Sequence, residues 1–246
     1  MGVALGLLGC SSGEGGEAGE ALPVIPAGRS DAEVIALLRA RSGRLSALSG
    51  VIAMNYSSSE RSGTFDAVCL YRAPRELRLQ AYKDLVVDSK DLFDLLLTPE
   101  GYALDHDFED EPVRARGALS AFPGEQPRFA GMFWTGEALF LPGAADPARP
   151  IEVLARRADA IRVQTWLYSG ARAEWDLDPQ TLRVSRGFVS HPPLRVQLEY
   201  GEWDGIGALL ELPSRVRYRE GDTEITVRVS ELDPDPEFVA EAFQPR

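Results

Sequence analysis

Leu194-Arg195-Val196-Gln197-Leu198-Glu199-Tyr200 alternates apolar and polar side chains without a break. A β-strand turns successive side chains to opposite faces, so Leu194, Val196, Leu198 and Tyr200 share one face and Arg195, Gln197 and Glu199 the other. A helix, with 3.6 residues per turn, would scatter the same residues around its circumference. The stretch is therefore a strand with one buried and one wet face, the pattern of antiparallel sheets.

The same period extends in both directions. Val51 to Tyr56, Thr64 to Tyr71, Leu77 to Tyr82, Ile161 to Leu167, Leu182 to Arg186, Val216 to Arg219 and Ile225 to Val229 all alternate or are β-rich. Turn-forming residues fall between the runs: Ala73-Pro74-Arg75, Thr98-Pro99-Glu100-Gly101, Asp178-Pro179-Gln180 and Glu220-Gly221-Asp222. About ten or eleven antiparallel strands are expected. Two regions break the period. Ser30-Asp31-Ala32-Glu33 has the form of a capping box, and Val34, Ile35, Leu37 and Leu38 follow at helical spacing, so a helix is expected over 31–42, ending near Gly43. From Glu111 to about Leu141 the apolar residues Val113, Ala115, Leu119, Phe122, Phe129, Met132, Phe133, Leu139 and Phe140 read as two short helices set between prolines. The fold class is mainly β (α+β): one large curved antiparallel sheet with an N-terminal helix and a helical insert over about 111–141.

The chain has 246 residues and a formal net charge of −12. A 44% apolar content is enough for a core, so wholesale disorder is excluded. The acidity argues against nucleic acid as a partner and against electrostatic docking on anionic lipid, because both require basic charge. No apolar run reaches the 18 or so residues of a membrane-spanning helix. Two cysteines cannot build a disulfide-rich scaffold or a four-cysteine zinc site.

The two cysteines read differently. Leu7-Leu8-Gly9-Cys10-Ser11-Ser12 resembles a bacterial lipoprotein signal, in which the cysteine is lipidated and becomes the first residue of the mature protein. On this reading residues 1–9 are a cleaved signal remnant. The charged start of such a signal is missing, which places the true start upstream of Met1. Residues 10–29, rich in Gly, Ser and Glu and then spaced by Pro23 and Pro26, form a lipidated tether. As a flexible chain it spans roughly 24 Å. Residues 30–246 form one domain. Cys69, inside Ala67-Val68-Cys69-Leu70, is expected to be a buried, inert thiol.

Motifs for chemistry are missing. The sequence holds no G-x-S-x-G, P-loop, Rossmann fingerprint or Cys-x-x-Cys. Asp105-His106-Asp107-Phe108-Glu109-Asp110-Glu111 has the residue types of a divalent-cation site, but its spacing fits no known loop and it lacks the glycine of an EF-hand. It reads as a solvated connection. His191 before Pro192-Pro193 reads as a turn residue. Trp134, Trp166, Trp175 and Trp203 are scattered over different elements and read as packing residues rather than a sugar platform. No cofactor, metal or catalytic residue is assigned, and the protein is expected not to be an enzyme.

Two stretches carry a resemblance. Tyr71-Arg72-Ala73-Pro74-Arg75-Glu76-Leu77-Arg78-Leu79 joins two early strands, and Ile225 to Pro236 leads into Phe238 and Phe243. With the N-terminal helix and the insert, they are similar to the LolA/LolB-like superfamily of lipoprotein carriers and outer-membrane lipoproteins, over residues 31–245. The resemblance implies a half-open barrel with an apolar concave face closed by helices. It implies a site for acyl chains or other hydrophobic ligands, lined by the lid residues Phe129, Met132, Phe133, Trp134 and Phe140. Without the resemblance, each of these residues reads as core filling. It also implies a membrane-facing loop, here matched by Leu85, Val86 and Val87 between Asp84 and Asp88, a stretch that the residues by themselves read as ordinary strand. The expected function is a non-enzymatic envelope lipoprotein that binds lipid, anchored on the periplasmic face of the outer membrane. The alternative is a protein-interaction or stress-sensing module on the same fold.

Overall fold

A computed structural model describes residues 28–245, apart from 43–45, 60–61, 74–75, 85–88, 107–112, 126–148, 168, 193, 207–209 and 235. It opens with helix α1 (Asp31–Ser42). The expected capping box is formed: the Ser30 amide donates to Glu33 Oε2 at 2.7 Å, and the Glu33 amide donates to Ser30 Oγ at 3.4 Å. Asp31 and Glu33 lie in the first turn and Arg39 and Arg41 in the last, the order that the helix dipole favours. Val34 and Leu38, one turn apart, are buried. Arg41 fixes the far end by donating to the carbonyls of Thr181 and Leu182.

Thirteen strands follow: β1 (Ala47–Ser57), β2 (Ser62–Arg72), β3 (Glu76–Asp84), β4 (Ser89–Thr98), β5 (Gly101–His106), β6 (Val113–Gly117), β7 (Glu152–Arg156), β8 (Ile161–Trp166), β9 (Arg172–Leu177), β10 (Val184–His191), β11 (Leu194–Ile206), β12 (Leu210–Glu220) and β13 (Thr223–Asp233). They form one antiparallel sheet in the order β6-β5-β4-β3-β2-β1-β13-β12-β11-β10-β9-β8-β7. Each half is a meander of hairpins, and the β1–β13 pair joins the halves. The two free edges, β6 and β7, are consecutive in the chain and do not pair, so the barrel stays open.

Thirteen strands exceed the expected ten or eleven, and β6 corrects one assignment. Val113 and Ala115 are strand residues, not helical ones: they alternate with exposed Arg114 and Arg116 at period two. The non-strand insert starts later than expected, with a short 3-10 turn (Leu119–Ala121) and the single-turn helix α2 (Phe122–Glu125). Phe122 is buried there against Tyr102, with ring centroids 4.8 Å apart.

Residues opposite each other in register share a face, which sorts the whole sheet. One row of the inner face runs Leu104-Leu95-Leu79-Cys69, and another runs Val163-Trp175-Gly187-Leu198-Tyr218-Ile225. All of these side chains are buried. Cys69 is a free thiol within this core, and burial pushes its ionisation well above the ordinary value.

The sheet is too wide for its helix. Twelve strand spacings amount to about 58 Å, whereas a 12-residue helix is about 18 Å long. Leu104 on β5 and Val163 on β8, one strand in from opposite edges, are nonetheless both fully buried. The helix alone therefore cannot cover the whole inner face.

Candidate functional site

The curved inner face is the candidate site. Its β2–β6 half is lined across strands by Tyr71-Leu77-Leu97-Tyr102, by Cys69-Leu79-Leu95-Leu104 and by Ala67-Ala81-Phe93-His106. Its β8–β12 half is built around Trp175. The Trp175 indole is fully buried, and its N–H donates to Thr165 Oγ1 at 2.7 Å. A glycine faces the ring across the sheet for a steric reason: a Cβ on Gly187 would lie 2.5 Å from Trp175 Cζ3. Tyr200 continues the aromatic group, edge-on to Trp175 at 6.2 Å and stacked with Trp203 at 6.4 Å. Its hydroxyl is buried and has no hydrogen-bond partner among the described residues. Burial raises the phenol's ionisation well above the ordinary value, so it is a neutral, unsatisfied polar group facing the interior.

The outer face is polar on β8–β13. A row of alternating charge crosses five strands as Arg162-Asp176-Arg186-Glu199-Arg217. Arg162 Nε donates to Asp176 Oδ1 at 2.8 Å and Nη2 to Oδ2 at 2.9 Å. The Arg162 hydrogen bonds hold the Asp176 carboxyl below its ordinary value, against the opposing effect of burial. A neighbouring row places Arg219 opposite Glu224. Opposite charges across a strand pair favour this register over a slipped one.

On β2–β4 the outer face is covered by the C-terminal segment, and here the two stretches of the sequence resemblance meet. Arg78 is 5% exposed. Its Nε and Nη2 grip Asp94 on β4 at 2.9 and 2.5 Å, and its Nη1 donates to the carbonyl of Ala242 at 2.8 Å. Ala242 lies in a 3-10 turn (Ala240–Phe243) whose Phe243 is buried under the Arg72 guanidinium, 4.5 Å from the ring centroid. Phe238 meets Phe243 edge-on at 5.1 Å. The hairpin arginines and the tail phenylalanines thus form one latch between residues some 164 positions apart. The sequence signal for it was the arginine pair around Ala73-Pro74, but nothing local names the partners.

A cavity of about 350 Å³ opens beside the β6 edge, lined by Tyr82, Asp91, Phe93, Asp94, Asp105 and His106 among others. Its three carboxylates make it unlike an acyl-chain cavity. Asp105 and His106 are neighbours on β5 with side chains on opposite faces. Asp105 lies 3.8 Å from Arg114 across the strand pair, while His106 is buried on the inner face. They cannot converge on one ion, and no cluster of three metal-ligating side chains occurs among the described residues. His191 closes β10 opposite Leu194. Trp166 and Trp175 fall on opposite faces, so the described tryptophans form no common platform. Trp134 lies outside the described residues. So do Cys10, the lid residues Phe129, Met132, Phe133, Trp134 and Phe140, and the loop residues Leu85, Val86 and Val87. β3 ends at Asp84 and β4 begins at Ser89.

No family model matches the sequence, and no curated protein does. Solved structures do share the architecture. A LolA superfamily protein from Nitrosomonas europaea superposes with a TM-score of 0.61 at 9% identity, over 88% of this chain and 98% of its own. The fold is LolA/LolB-like. A DUF1329 family protein from Desulfovibrio piger follows at 0.60 and 11% identity, over 86% and 95%. A domain assigned to outer membrane lipoprotein sorting, from Vibrio parahaemolyticus, gives 0.50 at 10% identity, over 86% and 95%. At such identities the common property is the LolA-like sheet, which is compatible with many side-chain sets.

Proposed function

We propose that this protein is a non-enzymatic cell-envelope lipoprotein that binds lipid or acyl chains against the inner face of its LolA-like sheet. One observation carries the reading: the two free edges, β6 and β7, belong to consecutive strands, so a single connection links the two margins of the open barrel. That connection contains Phe129, Met132, Phe133, Trp134 and Phe140. Met and aromatic side chains adapt to flexible apolar ligands, and a concave apolar surface with a few polar groups is the usual form of a hydrophobic-ligand site. Placed over the opening, these five would form an apolar wall, with the Tyr200 hydroxyl as a polar group inside. In this proposal Cys10 carries the lipid anchor, residues 11–29 are the tether, and the outer membrane's periplasmic face is the location. Leu85, Val86 and Val87, between β3 and β4, are the segment that meets the membrane during transfer of cargo.

A fluorescent fatty acid tests the site. The Cys10→Ser chain should enhance its emission at saturable stoichiometry, and Phe133→Asp should weaken the binding at least tenfold. Loss of neither signal nor affinity in Phe133→Asp overturns the lid assignment, and absence of saturable binding overturns the lipid site. Labelling cells with a palmitate analogue tests the anchor: the parent chain should be labelled and Cys10→Ser should not.

A further inference from the structure

Tyr200 departs from the other buried tyrosines of the inner face. The hydroxyls of Tyr102 and Tyr218 donate to the carboxylates of Glu125 and Glu220. Tyr200 is 8% exposed, and its hydroxyl is enclosed without a hydrogen-bond partner among the described residues. A buried donor left unused costs free energy that a phenylalanine would not. The backbone beside it is unusual as well. In a regular strand, residues three apart lie on opposite faces, yet the Trp203 ring stacks on Tyr200 at 6.4 Å. Glu202, between them, has a φ of 56°, in the left-handed region that residues other than glycine rarely adopt. Its side chain reaches Arg215 on the outer face, with Nη1 3.1 Å from Oε1, and its carbonyl accepts from the Ser214 hydroxyl. The left-handed residue thus inverts the alternation and turns Trp203 inward. Backbone strain fixed by several contacts is characteristic of ligand clamps. Two independent features therefore meet at one place: an unused donor, and a strained residue that lays an aromatic ring against it.

We infer that the Tyr200 hydroxyl donates to the carbonyl of an esterified acyl chain and so selects esters within the acyl site proposed above. The inference rests on that reading of the inner face and adds the chemistry of the ligand's polar end. A phenol hydroxyl donates one hydrogen bond, and burial keeps this one neutral, so its counterpart is an acceptor. The acceptor is uncharged for a second reason. Register puts the arginines of β8–β12 on the outer face, Arg162, Arg186 and Arg217 among them. A carboxylate buried beside Trp175, Tyr200 and Trp203 would find no cation on the inner face of these strands among the described residues, and an unpaired buried charge is costly. An ester carbonyl offers the acceptor without the charge. Trp203 is half-buried where Tyr200 is enclosed, so the ligand reaches the hydroxyl past the Trp203 ring.

The test uses the full chain carrying Cys10→Ser, so that no covalent lipid competes, with methyl oleate and 1-octadecene as ligands. The two have similar hydrocarbon chains, and only the first has a carbonyl. Each is titrated against the bound fluorescent fatty acid. Tyr200→Phe should weaken methyl oleate about tenfold, the effect of one hydrogen bond to a buried donor, and should change 1-octadecene by less than about twofold. Oleate should bind the parent less tightly than its methyl ester at neutral pH. The ester C=O stretch of bound methyl oleate should move to higher wavenumber in Tyr200→Phe, because the donor that weakened the bond is gone. An unchanged circular dichroism spectrum confirms that the variant is folded. A variant that weakens both ligands alike, or neither, would overturn the inference, as would an unshifted ester band or oleate bound more tightly than its ester. Failure of the parent to bind either ligand overturns the acyl site itself. Binding of both ligands with no effect of Tyr200→Phe overturns only the role of the hydroxyl.

Discussion

Replacing Arg78 by methionine probes the latch that holds the C-terminal segment on the sheet. Methionine matches the aliphatic stem in length and removes only the guanidinium. Three hydrogen bonds disappear, two to Asp94 and one to the Ala242 carbonyl. The larger effect is what remains. The Asp94 side chain is 15% exposed, loses its bidentate cation, and retains the contact from Gln80 Nε2 at 3.4 Å. Breaking a buried pair by deleting one partner costs about 3–5 kcal/mol, mostly from the charge left behind. Against a total stability of about 5–15 kcal/mol this is a large fraction. Urea unfolding followed by circular dichroism should show a much lower midpoint for Arg78→Met, and hydrogen exchange should show early opening over residues 236–245. The double variant Arg78→Met/Asp94→Leu removes the carboxylate that has lost its cation and should recover more than half of the loss. A single variant within about 1 kcal/mol of the parent, or a double variant no better than the single, would refute a buried, mutually dependent pair.

Three further outcomes follow from the inner and outer faces. Gly187→Val pushes a side chain into Trp175 and should destabilise by about 1–3 kcal/mol, with a changed near-ultraviolet signal from the displaced indole. Tyr200→Phe removes an unsatisfied buried hydroxyl. It should raise the melting temperature of the ligand-free protein, and a lower one would mean that the hydroxyl is satisfied after all. Asp176 has a depressed folded-state value, so its ionised form contributes stability above the ordinary 3.8 and loses that contribution as the pH falls through the lower folded value. Asp176→Asn should therefore be less stable than the parent at neutral pH. The gap should narrow in unfolding curves taken below about pH 4, and a gap independent of pH would contradict the assignment.

Where pattern and partner were both local, the fold was legible from the residues. The alternation of Leu194 to Tyr200 named a strand and its inward face, and Ser30 with Glu33 named a helix start that the hydrogen bonds reproduce. β6 was misread because a five-residue strand offers only Val113 and Ala115 on its apolar side, too few to separate period two from a helix. β7 was hidden by the register shift between Val153 and Ala155, which breaks the alternation, and by residues exposed on both sides. The charge row Arg162-Asp176-Arg186-Glu199-Arg217 exists only once five strands are aligned, so no single stretch of sequence displays it. The latch depends on Arg78 finding Ala242, a contact fixed by the long closure of β1 on β13. Tyr200 read as one more inward aromatic, since nothing in its neighbours reveals that its hydroxyl lacks a partner.

Native mass spectrometry of the full-length protein, extracted gently from membranes of its own cell, tests the central claim most directly. The account predicts a bound species whose mass is lost on activation and whose fragments are acyl chains. That species should be depleted in Phe133→Asp while the covalent modification at Cys10 stays. A protein that carries only the mass of its own modified chain, in parent and variant alike, would contradict lipid binding by the inner face.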